Sequence, residues 1–368
     1  MKIAIFSDPH LGYARFESDS YIQAERTFLS ASENADLILC AGDIFDVKIP
    51  KLETLKKAVE IFKKASVPVF VIHGNHERRA RDMVNPVHLL EASTNIVILH
   101  GKSSIFEKNG ERVQVLGIGS VPEEYATDAV KKTMETYQKD EGAFRIIMLH
   151  QSIKELIPGA SEEISLEYLE TLPFDLIING HIHETIVKLG GRFLIPGSTV
   201  ITQLKKDEMA EKGYFLYDTK TRSSEFVPVQ SRKFFYEKFE FDDVSQSEIE
   251  QQILRRVHEI KKDYPDAVIA IKIDGKLKPG LTLDIRIDDQ NVYIENRMDQ
   301  VGLSAKLQEV KTTLEANLSL REIAIRELRA KTKDRITLFD SSELFEKLLN
   351  GSEETLEYLE AQNKNTSS

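Results

Sequence analysis

Short apolar runs recur through the first half of this 368-residue chain, and they constrain its fold more than any other feature. The five runs are KIAIFS, DLILCA, VPVFVI, FRIIMLH and FDLIIN. Stretches with helical periodicity lie between them, at 20–34, 52–65 and 123–138. Short buried runs that alternate with helices are typical of a sheet covered by helices. The sequence therefore predicts an α/β fold.

A β-hairpin is predicted between residues 103 and 119, because Asn109-Gly110 stands between alternating apolar and polar residues. Further strands are predicted at 184–189, 192–195, 213–217 and 225–228. We expect the sheet, or pair of sheets, to close near residue 228.

After residue 228 the pattern changes. The stretch FFYEKFEF predicts a strand, 246–262 a helix, and VIAIKI, LTLDIRI and VYIEN three more strands, which makes a small α+β unit. From residue 303 onward the periodicity is helical, and its apolar face fits either a solvated helix or a docking segment for a partner. The predicted divisions are 1–228, 229–298, 299–362 and a disordered tail, 363–368.

Composition narrows the class of protein. The apolar share of 41% and charged share of 30% suit a soluble globular protein, and the apolar runs are too short to span a bilayer. We expect a cytoplasmic, unprocessed chain in which the single Cys40 is a buried, inert thiol. The net charge of −11 argues against a protein that coats DNA. It does not exclude an enzyme that binds nucleic acid at one local site.

Each of the five apolar runs leads into metal-capable or amide side chains. In open α/β sheets this edge is where ligands bind, so we expect these side chains to converge. The candidate metal ligands are Asp8, His10, Asp43, Asn75, His150, His181 and His183. Any one of them alone is better explained as a turn or a hydrogen-bonded structural residue. Five suitable placements on five strand ends favour a shared site.

The types of ligand indicate the chemistry. Imidazole, carboxylate and amide groups without thiolate favour Mn²⁺, Fe, Zn²⁺ or Mg²⁺. Seven ligands are too many for one ion, and Asp43 can bridge two. Two such ions can clamp a phosphoryl group and activate water, which predicts phosphoester hydrolysis. His76 follows Asn75 directly and is expected to face substrate, where an imidazolium can stabilise charge or protonate the leaving oxygen.

At these residues the sequence resembles the calcineurin-like metallophosphoesterase superfamily. The motifs DPH, GDIFD, GNHE, LHQ and GHIH match its five blocks in order over roughly the first 200 residues. Within it the chain looks most like SbcD-type DNA double-strand-break repair nucleases of the archaeal and eukaryotic branch. The features that carry this likeness are SDPHLGY, PVFVIHGNHERR, IIMLHQS, INGHIH, IPGST and KGYFLYD.

This resemblance implies a β-sandwich flanked by helices, followed by a small capping domain and a helical segment that binds a coiled-coil ABC ATPase. It implies two Mn²⁺ ions, one held by Asp8, His10, Asp43 and His183, the other by Asp43, Asn75, His150 and His181. His76 would be the catalytic histidine. The implied activities are 3′ to 5′ exonuclease on duplex ends and endonuclease on single strands, in a nucleoid-associated homodimer.

One position departs from the family pattern. Many of these nucleases have a histidine three residues after the bridging aspartate, where this chain has Asp46. The balance between exonuclease and endonuclease activity is therefore left open.

Three alternatives remain. A protein phosphatase shares GDxxD and GNHE, but here Asp46 is followed by Val47-Lys48 and not by arginine and glycine. A small phosphodiesterase shares the metal blocks but gives no reason for the long C-terminal extension. A scaffold that tethers DNA ends without cutting them would show an eroded site, whereas every ligand and His76 are present.

Two further sets of residues are weaker candidates. Apolar positions at helical spacing fit either a dimer interface or internal core contacts; they are Leu55, Val59, Phe62, Val87 and Leu90. Basic residues near the predicted site could contact phosphates but are kept outside it; they are Lys48, Lys51, Arg78, Arg79 and Arg81.

Overall fold

The computed structural model describes residues 1–80, 83–157, 163–277, 285, 287–298, 343–344, 347, 355–356 and 358–359, the side chains of 243, 276 and 277 excepted. The chain divides into two compact units. One comprises 1–237, 255–271 and 287–293, and the other 238–254, 272–286 and 294–368. The predicted strand LTLDIRI, Arg81, the helical segment 299–362 and the tail lie wholly or mostly outside the described residues.

The strands are β1 (Lys2–Phe6), β2 (Leu37–Cys40), β3 (Val69–Val71), β4 (Ile96–Ile98), β5 (Lys102–Lys108), β6 (Glu111–Ile118), β7 (Phe144–Leu149), β8 (Leu176–Asn179), β9 (Ile186–Lys188), β10 (Phe193–Ile195), β11 (Gly213–Asp218), β12 (Ser223–Pro228), β13 (Phe234–Val244), β14 (Val268–Leu277) and β15 (Val292–Asn296). The α-helices are α1 (Glu17–Asn34), α2 (Leu52–Phe62), α3 (Pro86–Ser93), α4 (Ala126–Thr136), α5 (Leu166–Glu170) and α6 (Gln246–Asp263).

Two six-stranded sheets carry the five predicted runs. The first has the order β12-β11-β1-β2-β3-β4, and the second β5-β6-β7-β8-β10-β9. Strands β1 to β4 are parallel to one another, as are β6, β7, β8 and β10, while antiparallel strands complete each sheet. The predicted site residues therefore follow three strands of one sheet and two of the other.

Alternation along the strands explains why the sheets face each other. Ile3 and Ile5 of β1 pack with Ile146 and Met148 of β7 in a core between the sheets. Ala4 and Phe6, which alternate with these isoleucines, point away, toward α1 and α2. Side chains in a strand alternate between faces, and runs that are apolar on both faces need cover on both.

Helices provide that outer cover. Phe28 of α1 and Ile61 of α2 pack on the first sheet, and Val130 of α4 packs on the second. This arrangement confirms the predicted α/β fold with sheets flanked by helices. The hairpin is confirmed as well, with Asn109 and Gly110 both at positive φ between β5 and β6.

Some elements were not predicted. Helix α3 and strand β4 are short, and their sequence lacks a periodic pattern long enough to distinguish helix from strand. Of the apolar positions considered for a dimer interface, Phe62, Val87 and Leu90 are buried in the core, and Leu55 and Val59 pack partly buried against it.

A third sheet has the order β13-β14-β15. In the second unit, Phe241, Ile249, Ile253 and Ile273 are buried and form its apolar interior. Within the described part of the chain, no helix combines the length and the apolar character needed to cross a bilayer.

Candidate metal centre

The predicted ligands converge at the C-terminal ends of β1, β2, β3, β7 and β8. Asp8, His10, Asp43 and His150 are almost fully buried, whereas Asn75, His181 and His183 are half-buried. The backbone N–H of His181 donates to Asp8 Oδ2 at 3.2 Å, so the two sheets are joined directly at this edge. Residues up to 173 positions apart thereby meet in one cluster.

A first group of donor atoms surrounds Asp8. His10 Nε2 and His183 Nε2 are 3.1 Å apart. Asp8 Oδ1 lies 3.6 Å from His183 Nε2 and 3.8 Å from His10 Nε2. One carboxylate and two imidazoles thus face a common point.

A second group surrounds Asn75. Its Oδ1 lies 2.8 Å from His181 Nδ1 and 3.1 Å from His150 Nε2. His150 Nε2 is also 3.3 Å from Asp43 Oδ2. An amide oxygen, a carboxylate and two imidazoles face this second point.

Asp43 lies between the two groups. Its Oδ2 is 3.3 Å from His150 Nε2 in the second group and 3.9 Å from His10 Nε2 in the first. The backbone N–H of His76 donates to the other oxygen, Oδ1, at 2.9 Å and fixes the carboxylate. Gly74 permits this close approach, because a Cβ there would lie 1.9 Å from Asp43 Oδ1.

A buried chain of hydrogen bonds sets the orientation of His183. Its Nδ1 lies 2.5 Å from Thr202 Oγ1, and this hydroxyl donates to Glu208 Oε1 at 2.7 Å. Lys212 Nζ donates to Glu208 Oε2 at 2.6 Å. Because Thr202 donates its hydroxyl proton to Glu208, the Thr202 oxygen accepts from His183 Nδ1–H. The unprotonated Nε2 of His183 therefore presents a lone pair to the first group.

His181 and His150 are oriented by the same logic. Ser152 Oγ donates to Glu123 Oε1 at 2.7 Å and lies 3.1 Å from His181 Nε2, so it accepts from Nε2–H and leaves Nδ1 free. His150 Nδ1 donates to the carbonyl of Ala41 at 2.6 Å, which turns Nε2 toward Asn75 and Asp43. These contacts aim both rings at the second group.

The backbone at the site is strained. Four of the predicted ligands have positive φ: Asp8 (54°), His10 (43°), Asp43 (47°) and His181 (77°). The left-handed region costs an L-residue roughly 1–2 kcal/mol. Such outliers persist where the surrounding structure determines them, and they cluster at functional sites.

Buried carboxylates and imidazoles at the site shift one another's pKa values. Burial opposes ionisation of Asp43, but the positive charge of His150 and its hydrogen bond outweigh burial and hold the pKa of Asp43 well below its usual range. Burial likewise opposes a charge on His150, but Asp43 and Asp8 raise the pKa of His150 to about 10. Burial and the neighbouring His150 lower the pKa of His181 to about 4. The cluster therefore stabilises the ionised form of two buried carboxylates, and positive charge beside them is favourable.

The residues present fit divalent metal ions. Asp8 Oδ1 is buried and has no hydrogen-bond partner in the described structure, although Nε2 atoms of three histidines lie within 4.0 Å of it. In the second group, the acceptor Oδ1 of Asn75 faces the lone pair of His181 Nδ1 at 2.8 Å. Two acceptors at that distance repel each other unless a cation lies between them, and O/N donors without thiolate suit Mn²⁺, Fe, Zn²⁺ or Mg²⁺.

His76 is placed beside the two groups. Its Nδ1 donates to the backbone carbonyl of Asp46 at 2.6 Å, and its Nε2 lies 3.9 Å from Asp43 Oδ2. The side chain is 37% exposed, so it faces both the cluster and solvent. The carboxylate of Asp46 lies 3.6 Å from His76 Nδ1 and 3.3 Å from His10 Nδ1, between the two rings.

Sequence reasoning missed several supporting residues. Glu77 is fully buried, and it accepts from the backbone N–H groups of Phe45 and Gly74, both at 2.7 Å. It stands inside the GNHE motif, so a signal for it was present. Ser152 likewise follows the LHQ motif. Lys212 is the first residue of KGYFLYD, so a signal was present for it as well, whereas Thr202 and Glu208 had none, because they lie beyond the IPGST loop in a segment without a motif.

A further set of cysteine, histidine and basic residues was not predicted to belong to the site. Cys40 is buried in the core, and burial raises the pKa of its thiol well above the usual range, as expected for an inert thiol. His88, His100 and His258 are exposed. Lys48 and Lys51 are exposed near the site, and Arg79 donates to the carbonyl of Val84 at 3.2 Å.

Comparison with known proteins agrees with this geometry. A family model described as calcineurin-like phosphoesterase matches residues 1–185. The DNA double-strand break repair protein Mre11 of Archaeoglobus fulgidus is 26% identical over 361 aligned residues, which cover 84% of this chain and 76% of that protein. The protein of the same name from Methanococcus maripaludis is 23% identical, with 98% of each chain covered. The human double-strand break repair protein MRE11 is 26% identical, and the match covers 64% of this chain and 42% of the human protein.

Proposed function

The chain belongs to the calcineurin-like phosphoesterase family and is a metal-dependent phosphodiesterase, and from that premise we propose that its substrate is DNA at double-strand breaks. Relatives similar to it over most of its length are named as DNA double-strand break repair proteins. The observation that carries the proposal is the pair of donor groups joined by Asp43.

The proposed ligands follow these groups. Asp8, His10, Asp43 and His183 hold one divalent ion, and Asp43, Asn75, His150 and His181 hold the other. We propose Mn²⁺ for both, because imidazole and carboxylate donors suit it. When bound, the ions supply Lewis-acid stabilisation of the phosphoryl oxygens and a water made nucleophilic at neutral pH.

His76 acts on the substrate in this proposal. With Nδ1–H held by the carbonyl of Asp46, its Nε2 faces the reacting phosphate at the edge of the cluster. A protonated Nε2 stabilises charge that develops on the phosphoryl group or gives its proton to the leaving oxygen.

The proposed activities are 3′ to 5′ exonuclease on duplex ends and endonuclease on single strands. Asp46 affects their balance, because its carboxylate lies beside both His10 and His76 where many similar nucleases have a histidine. An anion there repels a phosphate that moves past His76. We therefore expect the exonuclease to be the weaker of the two activities.

Two partners complete the proposal. The segment 299–362, outside the described residues except at isolated positions, would bind a coiled-coil ABC ATPase through an amphipathic face. Deleting it should abolish binding of that ATPase, and unchanged affinity would contradict the assignment. A homodimer is also proposed, and because the candidates Phe62, Val87 and Leu90 are buried, its contacts must involve other side chains. A role on DNA would place the protein at the nucleoid.

The test uses end-labelled duplex and single-stranded DNA with Mn²⁺. We expect cutting that depends on metal, is lost in H76L and is retained in H258L, which alters an exposed histidine on α6. Loss of cutting in both variants would contradict the role of His76. If DNA stays whole while a phosphoprotein or small diester is hydrolysed, the nuclease proposal fails and a phosphatase or small phosphodiesterase takes its place. If the metal-loaded protein binds DNA ends but hydrolyses no phosphoester, it is a tethering scaffold.

A further inference from the structure

A cavity of about 430 Å³ adjoins the second donor group. Asn75, His150 and His181 form the wall that it shares with the candidate metal centre. The cavity is also lined by Arg78, just after the GNHE motif, and by the loop after β6 that includes Ser120, Val121 and Glu123. Pockets for small ligands commonly measure about 300–1,000 Å³, so this cavity has room for one nucleotide and little more.

Arg78 provides a cation in the lining of the cavity. Its side chain is half-buried, and Nη1 donates weakly to Ser120 Oγ at 3.4 Å. Throughout the described part of the chain, no carboxylate comes within 4.0 Å of its guanidinium. A planar guanidinium with donors to spare is well suited to binding a phosphate through two hydrogen bonds.

The partner of Arg78 is rigidly held. Ser120 is buried, and its backbone N–H donates to the carbonyl of His73 at 3.0 Å, which ties the loop after β6 to the loop after β3. Arg78 and Ser120 therefore form one polar corner supported by both sheets. Such a corner can offer guanidinium and hydroxyl donors to the same anion.

Acidic and apolar side chains also line the cavity. Glu123 accepts from Ser152, the serine that orients His181, and Glu124 also lines the cavity. Carboxylates repel phosphate, whereas Val121 and Pro122 offer apolar surface to a base. Among the described residues that line the cavity, Arg78 is the one arginine or lysine, so a phosphate is favoured beside it.

We propose that this cavity receives one unpaired nucleotide next to the scissile phosphate, with Arg78 and Ser120 on the following phosphate. This inference rests on the proposed nuclease function and assigns its substrate as a strand whose last base is out of the duplex. A paired base cannot enter, because the cavity is too small for a base pair. Taking a base out of the stack costs least where it is mismatched or already single-stranded.

The first experiment compares R78A with R79A, which removes the same charge one residue away. Arg79 does not line the cavity. With a Mn²⁺-loaded enzyme and single-stranded oligonucleotide, we expect the KM of R78A to rise about tenfold while kcat stays within about twofold, as expected when a substrate-binding contact is removed. For bis(p-nitrophenyl) phosphate, which has no second phosphate, the rise should be less than about twofold. R79A should match the wild type on both substrates.

A second measurement addresses the unpaired base. Wild-type enzyme should cut duplex with a mismatched terminal pair several-fold faster than fully matched duplex. The inference is overturned by equal effects of R78A on both substrates, by an R78A KM like that of the wild type, or by equal rates on matched and mismatched ends. If wild-type enzyme hydrolyses the small diester but no DNA, the proposed function itself has failed, and that result is distinct from the other three.

Discussion

The Nε2 atoms of His10 and His183 lie 3.1 Å apart, and the hydrogen bonds behind His183 decide which nitrogen of its ring faces His10. His183 cannot change tautomer without losing a hydrogen bond, because Thr202 already accepts from its Nδ1–H. The chain from Lys212 through Glu208 and Thr202 therefore commits the lone pair of His183 to the site. This is the role that groups behind a metal ligand usually perform.

Removing the hydroxyl of Thr202 should weaken metal binding. In T202V, His183 Nδ1–H loses its acceptor, and we expect Mn²⁺ affinity at the first group to fall about 10- to 100-fold, the range usual for such partners. Isothermal titration calorimetry on purified protein measures this directly. T202S keeps the hydroxyl and should bind like the wild type. Equal affinities in T202V and the wild type would show that the hydrogen bond does not position His183.

Loss of His76 should separate catalysis from metal binding. In H76L the two donor groups are untouched, so Mn²⁺ stoichiometry and affinity should stay near wild-type values while hydrolysis of bis(p-nitrophenyl) phosphate falls at least about 100-fold, a typical acid–base contribution. The matched comparison is H150L, which removes a proposed ligand and should lose metal. Loss of metal in H76L would make His76 a ligand and overturn its assignment.

Much of the site could be predicted from sequence because it depends on strand ends. Runs such as KIAIFS mark where a buried strand stops, and parallel strands bring the residues that follow to one edge. His10 and Asp43 meet in this way, through the neighbouring strands β1 and β2. The prediction needed no knowledge of side-chain packing.

The rest depends on tertiary contacts that no local pattern encodes. Thr202 contacts His183 and donates to Glu208 from the segment between β10 and β11, which is separated from His183 in the sequence by β9 and β10. The positive φ of Asp8 and His181 likewise follows from the surrounding structure, since isolated L-residues avoid that region. The division of the five runs between two sheets was left open for the same reason.

Adding a single methyl group at Gly74 should displace Asp43. A Cβ at this position would lie 1.9 Å from Asp43 Oδ1 and 2.3 Å from its backbone nitrogen, and neither the fixed carboxylate nor the backbone can move away freely. We therefore expect G74A to bind fewer than two Mn²⁺ ions and to lose most of its diesterase activity. G142A is the control, because the nearest atom to a Cβ there is 3.5 Å away. Normal metal content in G74A would mean that Asp43 does not need its observed position.

Glu77 should stabilise the loop that carries Asn75 and His76. It is fully buried, and its two oxygens accept from the backbone N–H groups of Phe45 and Gly74. E77A leaves both donors unpaired, and since each buried unsatisfied group costs about 1–3 kcal/mol, the free energy of unfolding should fall by several kcal/mol. Burial and nearby Asp43 raise the pKa of Glu77 to about 8, so a neutral side chain is tolerated here. The variant E77Q keeps one acceptor. Its free energy of unfolding should therefore lie between those of E77A and the wild type. Urea unfolding of the metal-free proteins tests this order against E33A, an exposed glutamate on α1 whose loss should change little. A loss in E77A no larger than that in E33A would show that these two hydrogen bonds do not hold the loop.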